Sequence, residues 1–480
     1  MKRPLVACVT TLLTLALVAA PVGPARAVST NDIDAYLTEA MAATGLPGMS
    51  AVVTHRGEVL HTAGLGHDST GAPITPDTPM RVASVSKSFT AMAVMTLVDA
   101  GRIALDEPVS RQLPEFAPAD ARADRITVRH LLNQTSGLSD RTVDIGAAES
   151  APTLAGYVAS LRTGRLAAEP GTRWFYCNAN YEVAARLVEV AGGMGFGDYL
   201  RQRVLGPLGM TGSAAGDREV RPARGYNSLF GAWVPRRERH MAAGGAGGAG
   251  GVVSTAADLG RWLISQTGHG PQLVTSRSLT TMHSPSAVGD YGMGWGPDTV
   301  SGAELLVHSG NLFTYNAVEA IDPASGYGFA VLTNGAGLYD ETYEILTGLV
   351  ALTRGQTPAA PGSRRQLIEI ALAVVALVAV GLGVLGVLRS RRWAGRRAGR
   401  PAWRIGLRLA PVLLPVALFA VYPQLISFLT NGRTVTWAQL TYFAAPLTVA
   451  FAAVAVAALA TAGMRLIRLR SNIVAPAGTP

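Results

Sequence analysis

The chain has 480 residues, of which 49% are hydrophobic and only 15% charged, with a formal net charge of +9. That is too apolar for an ordinary soluble protein, and the charge is unevenly placed: +3 in residues 1–27, −7 in 28–363 and +13 in 364–480. A nucleic-acid-binding reading is excluded because no basic patch belongs to the mildly acidic central segment. Cys8 and Cys177 are the two cysteines, which excludes a disulfide framework and any Cys-x-x-Cys metal or redox motif.

Taken in chain order, Met1 to Ala27 predicts a secretory signal peptide. Lys2 and Arg3 precede the apolar run Leu5 to Ala20, and Ala25-Arg26-Ala27 forms a small-x-small cleavage site. The exported part, 28–354, opens with a helical pattern from Ile33 to Thr44. Met49 to Gly66 then reads as two strands around an Arg56-Gly57 turn. From Ser84 to Ala100 the pattern is helical and is stopped by Gly101. Phe89, Met92, Ala93, Thr96 and Leu97 share one face while Val94, Met95 and Val98 make the others apolar, so this helix is expected to be buried. Residues 105–290 are loop-rich with short helices such as Tyr181 to Ala191. The run Gly244 to Gly251 lacks the Lys-Ser/Thr of a phosphate loop and reads as a mobile or tightly turning segment.

Near the end of this part, "YNAVEAID" and "YGFAVLTNG" are joined by Pro323-Ala324-Ser325-Gly326, the pattern of an antiparallel hairpin, and a helix follows from Tyr339 to Thr353. Strands at both ends with helices between them predict an α/β (α+β) fold. One antiparallel sheet is built from both termini, flanked by helices, with an inserted helical lobe. A Pro/Gly linker covers 355–366. Apolar runs at 367–388, 409–429 and 437–463 then predict three transmembrane helices, followed by a basic tail at 464–480. Eight arginines between Arg389 and Arg408, a short polar turn with Asn431 and Arg433, and Arg465, Arg468 and Arg470 together satisfy the positive-inside rule for an extracytoplasmic first part. Pro411, Pro415 and Pro423 make the second run irregular.

The chain uses arginine for nearly every cation, and Lys2 and Lys87 are its lysines. Ser84 and Lys87 stand at i and i+3 at the head of the buried helix, so their side chains share a face. A serine hydroxyl needs an adjacent base, which a desolvated lysine can be and an arginine cannot. Tyr176 and Asn178 precede a helix in "RWFYCNANYEVAARLVE", and His308-Ser309-Gly310 ends one strand just before another. Each of the latter two also has a plainer reading, as an aromatic core cluster and as a packed histidine.

Together these elements resemble the serine β-lactamase and penicillin-binding protein superfamily, in its class C-like, β-lactamase-related branch. Ser84-Val85-Ser86-Lys87 matches Ser-x-x-Lys, Tyr176-Cys177-Asn178 matches Tyr-x-Asn, and His308-Ser309-Gly310 matches the Lys-Thr-Gly or His-x-Gly element. Ile126 to Leu138, Gly250 to Leu263 and Tyr291 to Gly296 are similar as well, so the resemblance runs over about 31–350. It implies an acyl-enzyme on Ser84, with Lys87 and Tyr176 sharing the proton transfers. Asn178 would hold Lys87 and the substrate amide, and His308 and Ser309 would line the opposite wall beside Gly310. The backbone N–H groups of Ser84 and Asn311 would form an oxyanion hole. No cofactor or metal is implied. The expected partners are a small-molecule, peptide or ester substrate, including peptidoglycan-derived ones, and the lipid bilayer. His308 stands where typical β-lactamases carry lysine, which favours a D-alanyl-D-alanine carboxypeptidase-like or esterase-like activity over an efficient β-lactamase.

A Ser-His-Asp hydrolase is not supported, since no Gly-x-Ser-x-Gly elbow occurs, nor is a zinc hydrolase, since no His-Glu-x-x-His occurs. The rivals are a β-lactamase and a non-catalytic penicillin- or cell-wall-sensing receptor or scaffold. The expected location is a bacterial cytoplasmic membrane, crossed several times.

Overall fold

The computed structural model describes residues 28–239, 245–359, 361–430 and 433–474. The expected signal peptide, Asn431 in the polar turn and the end of the basic tail lie outside the described residues.

Six strands form the main sheet: β1 (Gly48–His55), β2 (Glu58–Gly66), β3 (Gly296–Val300), β4 (Ala303–Asn311), β5 (Asn316–Asp322) and β6 (Tyr327–Thr333). Their order is β2-β1-β6-β5-β4-β3, antiparallel throughout, so the first and last thirds of residues 28–354 close one sheet. Arg56 and Gly57 both adopt positive φ, 46° and 92°, which is the twist a two-residue hairpin needs. The β5–β6 hairpin turns through Pro323 to Gly326, where Gly326 has φ 83° and its N–H donates to the carbonyl of Asp322.

The strand alternation divides the interior in two. Phe329 and Val331 of β6 face α1 (Thr30–Thr44), while Ala330 and Leu332 face α2 (Ser86–Asp99) and the helical lobe. The lobe contains α3 (Asn178–Gly192), and α4 (Ala256–Gln266) packs across β1 and β6. Helix α5 (Thr342–Thr353) lies beside α1. Every residue of α2 from Ser86 to Met95 is buried, as its all-round apolar pattern requires. Phe89 stacks on Trp262 with ring centroids 4.1 Å apart. Ser88 and the Trp262 indole donate to Glu319 of β5, tying α2 and α4 to the sheet at 2.7 and 2.9 Å. Burial pushes the Glu319 carboxyl up to about 8.

The C-terminal third consists of α6 (Arg364–Leu388), α7 (Ala402–Ala420), α8 (Tyr422–Leu429), α9 (Trp437–Phe443) and α10 (Ala445–Val474). Three helices are long and apolar enough to cross a bilayer: Arg364–Leu388, Ala402–Ala420 and Ala445–Ser471. Their limits differ from the sequence expectation. The second starts earlier because Arg404 and Arg408 are good helix formers, and its run breaks at Val421. The third breaks at Ala444, where Pro446 has no N–H to continue the helix from α9.

The predicted linker also ends early. Helix α6 begins at Arg364, and Arg365 is buried against the sheet domain. Its guanidinium donates to Glu341 at 2.6 Å, to Ser228 Oγ at 2.6 Å and to the Thr44 carbonyl at 2.7 Å. Glu369, one turn on, accepts from Ser228 Oγ at 2.8 Å and from the Gly231 N–H at 2.6 Å. The first apolar helix is therefore clamped to the sheet domain rather than tethered to it.

Candidate active site

The serine is presented by a bent backbone. Ala83 adopts φ 53°, a region that costs a non-glycine residue about 1–2 kcal/mol, and is completely buried. A short 3₁₀ turn, Ala83–Val85, then leads into α2, so Ser84 sits at the helix head with Lys87 one turn further on. Strand β4 runs directly alongside. A Cβ on Gly310 would lie 2.4 Å from the Val82 carbonyl oxygen and 2.8 Å from the Ser84 nitrogen, so only glycine permits this approach.

Lys87 is fully buried, and its Nζ reaches three oxygens: Ser84 Oγ at 3.0 Å, Asn178 Oδ1 at 3.0 Å and the Ala249 carbonyl at 2.8 Å. Two of these partners are carbonyl oxygens that can only accept. The third is a hydroxyl that can accept or donate. The same geometry therefore suits an ammonium giving three hydrogen bonds and a neutral amine that gives two and accepts one from Ser84. The Tyr176 ring lies beside it, its centroid 4.7 Å from Nζ. An arginine could fill the charge here, but not the second state.

Tyr176 and Asn178 are held by the loop within Ile126 to Leu138, a partnership that the sequence pattern does not reveal. Gln134, itself at φ 61°, accepts from the Cys177 N–H at 3.0 Å and from the Asn180 amide at 2.6 Å, and its carbonyl accepts from the Phe175 N–H. Ser136 Oγ closes the set on Asn180 at 2.6 Å. Cys177 is buried, and burial pushes its thiol well up, in keeping with a packed rather than reactive cysteine.

The glycine-rich stretch is a tight turn over its described part, Gly245–Gly251. Gly248 and Ala249 turn their N–H groups onto the buried Glu182 carboxylate at 2.9 and 3.2 Å, which leaves the Ala249 carbonyl facing Lys87. A Cβ on Gly247 would lie 2.5 Å from Glu182 Oε2, and one on Gly248 2.5 Å from Ala185 Cβ. Desolvation pushes Glu182 up to about 7, against the pull of those N–H groups and of Lys87. Nothing in the spacing of the glycines announces Glu182, which lies 65 residues or more upstream in the chain.

His308 is only 6% exposed and lies behind the site rather than on its open face. Its Nδ1 hydrogen-bonds the Ser309 carbonyl at 2.8 Å, so that nitrogen carries the proton, and Nε2 accepts from the Tyr291 hydroxyl at 2.9 Å. Burial and the nearby Lys87 push the imidazole down to about 3, so it is uncharged. Tyr291, from the "YGMGWG" stretch, is the partner that local sequence did not reveal. Ser309 is exposed on β4 opposite Val318, and Asn311 ends that strand, its amide donating to Asn316 and Asp340.

The cleft in front of Ser84 is lined by Asn178, Asn311, Glu182 and the Gly245–Gly251 turn. Arg81, Asp140 and Glu149 extend it, and Arg433, Thr434 and Gln439 from the C-terminal third complete it. The structure thus gathers Ser84, Lys87, Tyr176 and Asn178 into one contact group, with Gly310 and Asn311 along its edge and His308 behind.

The sequence profile of the Beta-lactamase family matches residues 33–351. "Penicillin-binding protein 4" of Amycolatopsis lactamdurans is 31% identical over 353 residues, covering 68% of this chain and 91% of that protein. Among solved structures, the octameric penicillin-binding protein homologue from Pyrococcus abyssi superposes with TM-score 0.60 at 26% identity, over 72% of this chain and 81% of that one. The D-amino acid amidase of Ochrobactrum anthropi SV3 complexed with L-phenylalanine gives TM-score 0.58 at 27% identity, over 68% and 98%. With its sheet order and its serine-bearing buried helix, this chain belongs to the Beta-lactamase family and is a serine hydrolase of that fold, related to penicillin-binding proteins and D-amino acid amidases.

Proposed function

We propose that this protein is a membrane-anchored, extracytoplasmic hydrolase that works through an acyl-enzyme on Ser84, with D-alanyl-D-alanine carboxypeptidase-like or esterase-like activity. The observation that carries this reading is the contact of Lys87 Nζ with Ser84 Oγ at 3.0 Å, with both other partners of the amine unable to donate. Ser84 Oγ attacks the substrate carbonyl as its proton passes to neutral Lys87, directly or through the Tyr176 hydroxyl, which gives its own proton to the amine as it takes up that of the serine. The backbone N–H groups of Ser84 and Asn311 receive the developing oxyanion. The leaving group takes up a proton from the Lys87–Tyr176 pair, and a water then attacks the acyl-serine by the reverse relay. Asn178 fixes Lys87 and the substrate amide, while Ser309 and Gly310 form the edge along which the substrate backbone lies. His308, uncharged and engaged by Tyr291, keeps that edge in place without adding a charge to it.

Two further observations favour a peptide bond over a lipid ester. The cleft is lined by Arg81, Asp140, Glu149, Asn178, Glu182 and Asn311, a set suited to polar substrates. A relative of similar fold is a D-amino acid amidase. The neutral His308 also withholds the cation that a strong grip on a penicillin carboxylate would use at that position.

The test is labelling of the full chain with a fluorescent fluorophosphonate and a fluorescent penicillin beside Ser84→Ala. Labelling by fluorophosphonate that Ser84→Ala abolishes is the expected result. Absence of labelling in the wild type, or equal labelling of the variant, overturns the reading. Strong penicillin labelling that is slowly released favours the carboxypeptidase-like form, and rapid turnover of penicillin favours a β-lactamase.

A further inference from the structure

We infer that the segment between the second and third apolar helices, Arg433 to Gln439, is part of the substrate site, with Arg433 as a specificity-determining residue for an anionic group on the substrate. The inference rests on the peptide-hydrolase reading above and adds to it a residue from outside the sheet domain.

The first observation is placement. Arg433, Thr434 and Gln439 line the same cleft as Ser84, Asn178 and Asn311, although more than 100 residues and two long apolar helices separate them in sequence from Asn311. The Arg433 guanidinium carbon lies 5.2 Å from the centroid of the Tyr176 ring, which is itself 4.7 Å from Lys87 Nζ. A cation from the C-terminal third therefore stands one aromatic ring away from the reacting serine and its base.

The second observation is that the segment is fastened there. Asp140 holds it twice: its carboxylate pairs with Arg433 Nε at 3.3 Å, and its carbonyl accepts from Thr434 Oγ1 at 2.9 Å. Farther along, the Arg236 guanidinium sits 3.5 Å from the Tyr442 ring centroid and donates to the Thr441 carbonyl at 2.7 Å. Tyr442 and Phe443 pack on Phe313, which follows β4 directly. Asp140 pairs with the Nε side of the guanidinium, which carries four further N–H groups on its terminal nitrogens, the fork that recognises carboxylates. Its side chain remains 43% exposed, against 9% for Asp140.

The third observation is the balance of charge. Glu149 and Glu182, two of the acids lining the cleft, are pushed up to about 7 by burial, whereas the arginines stay charged. Arg81 and Arg239 also line the cleft, Arg81 buried and Arg239 exposed, but Arg433 is the arginine that stands against the Tyr176 ring, beside the reacting groups. A substrate presenting a carboxylate, such as a peptide with a free C-terminus, gains a charge-assisted hydrogen bond there, and a neutral amide does not.

The test uses the full chain in detergent, with Ser84→Ala as background so that nothing turns over. Dissociation constants are measured calorimetrically for Nα-acetyl-D-alanyl-D-alanine and for its C-terminal amide. The acid is expected to bind about tenfold more tightly than the amide. Arg433→Ala is expected to collapse that ratio to about one, Arg433→Lys to retain part of it, and Asp140→Asn, which frees the guanidinium, to alter it without abolishing it. An unchanged ratio in Arg433→Ala, or no preference or no binding in the parent, overturns the inference. Arg433→Gln, checked for an unaltered melting temperature, serves as a second variant if Arg433→Ala does not fold. Failure of the Ser84 mechanism would appear separately, as loss of fluorophosphonate labelling in the wild type.

Discussion

The sheet domain and the C-terminal third handle the same kinds of side chain in opposite ways. In the sheet domain Phe89, Trp262, Phe329 and Leu332 are all but inaccessible, and the buried Lys87, Glu182 and Glu319 each have hydrogen-bond partners. In α6, Leu377 is 73% and Leu382 63% exposed, whereas among the described residues of the sheet domain no large apolar side chain exceeds the 45% of Val59. The first pattern is that of a chain minimising contact of apolar surface with water. The second is compatible with helices that cross a bilayer, where an outward leucine meets apolar surroundings. The contrast teaches where the two regions can meet. They join through polar seams, Arg365 with Glu341 and Ser228 at the base and Arg433 with Asp140 at the cleft, and through the aromatic contact of Tyr442 and Phe443 on Phe313.

The largest effect that sharpens this contrast is Lys87→Arg. It preserves charge and hydrogen-bonding capacity but removes the ability to give up a proton. Acylation of Ser84, read as the rate of fluorophosphonate labelling, is expected to fall about 10²–10⁴-fold, while Arg365→Lys at the seam leaves that rate unchanged. Equal labelling rates for Lys87→Arg and the wild type would show that the lysine is only a structural cation.

Next is Arg365→Met, which leaves Glu341 buried without its guanidinium partner. A loss of about 3–5 kcal/mol is expected in denaturant unfolding of the full chain, far more than for an exposed arginine such as Arg111, whose removal is expected to cost under about 1 kcal/mol. A small loss would mean that the first apolar helix is tethered rather than clamped.

Stability should also depend on pH with two opposed signs. Glu319 and Glu182 have folded values raised to about 8 and about 7 from 4.5, so the folded state binds the extra protons. Their contribution is complete below about pH 4.5 and is lost as pH rises toward 8. His308 and His283 are lowered to about 3 and about 4 from 6.5, so theirs is complete above about pH 6.5 and lost as pH falls toward 3. Unfolding midpoints should therefore be highest where the two windows overlap, between about pH 4.5 and 6.5. Glu319→Gln should flatten the decline between pH 5 and 8 without altering the acid side. A decline of unchanged slope would show that Glu319 is ionised in the fold.

The smallest expected effect is at the rim. Arg236→Ala removes the guanidinium over Tyr442 and should cost about 0.5–1 kcal/mol in the full chain, with Ser84 labelling retained.

Local pattern carried much of this molecule. The apolar run from Phe89 to Val98 specified a buried helix, alternation and the turns at Arg56-Gly57 and Pro323–Gly326 specified the hairpins, and one retained lysine pointed to Ser84 and Lys87. Periodicity and turn chemistry are local properties, so they can be read without partners. What local pattern does not carry is who stands opposite. Gln134 behind Cys177, Glu182 beneath the glycine turn, Tyr291 on His308 and Arg433 beside Tyr176 are all long-range pairings. The span limits shifted for a related reason, since hydropathy marks what a bilayer tolerates while helix ends follow capping, proline and docking contacts.

The sequence by itself determined the α/β class, the two-ended sheet, the position of the serine and lysine on one helical face and the three apolar helices, because each follows from spacing within a few turns of chain. Only the tertiary structure decided that Lys87 meets Asn178 and the Ala249 carbonyl, that His308 is neutral and turned toward Tyr291, and that the C-terminal third reaches back over the cleft. Those outcomes depend on which surfaces exclude water together, a property of the packed whole rather than of any segment.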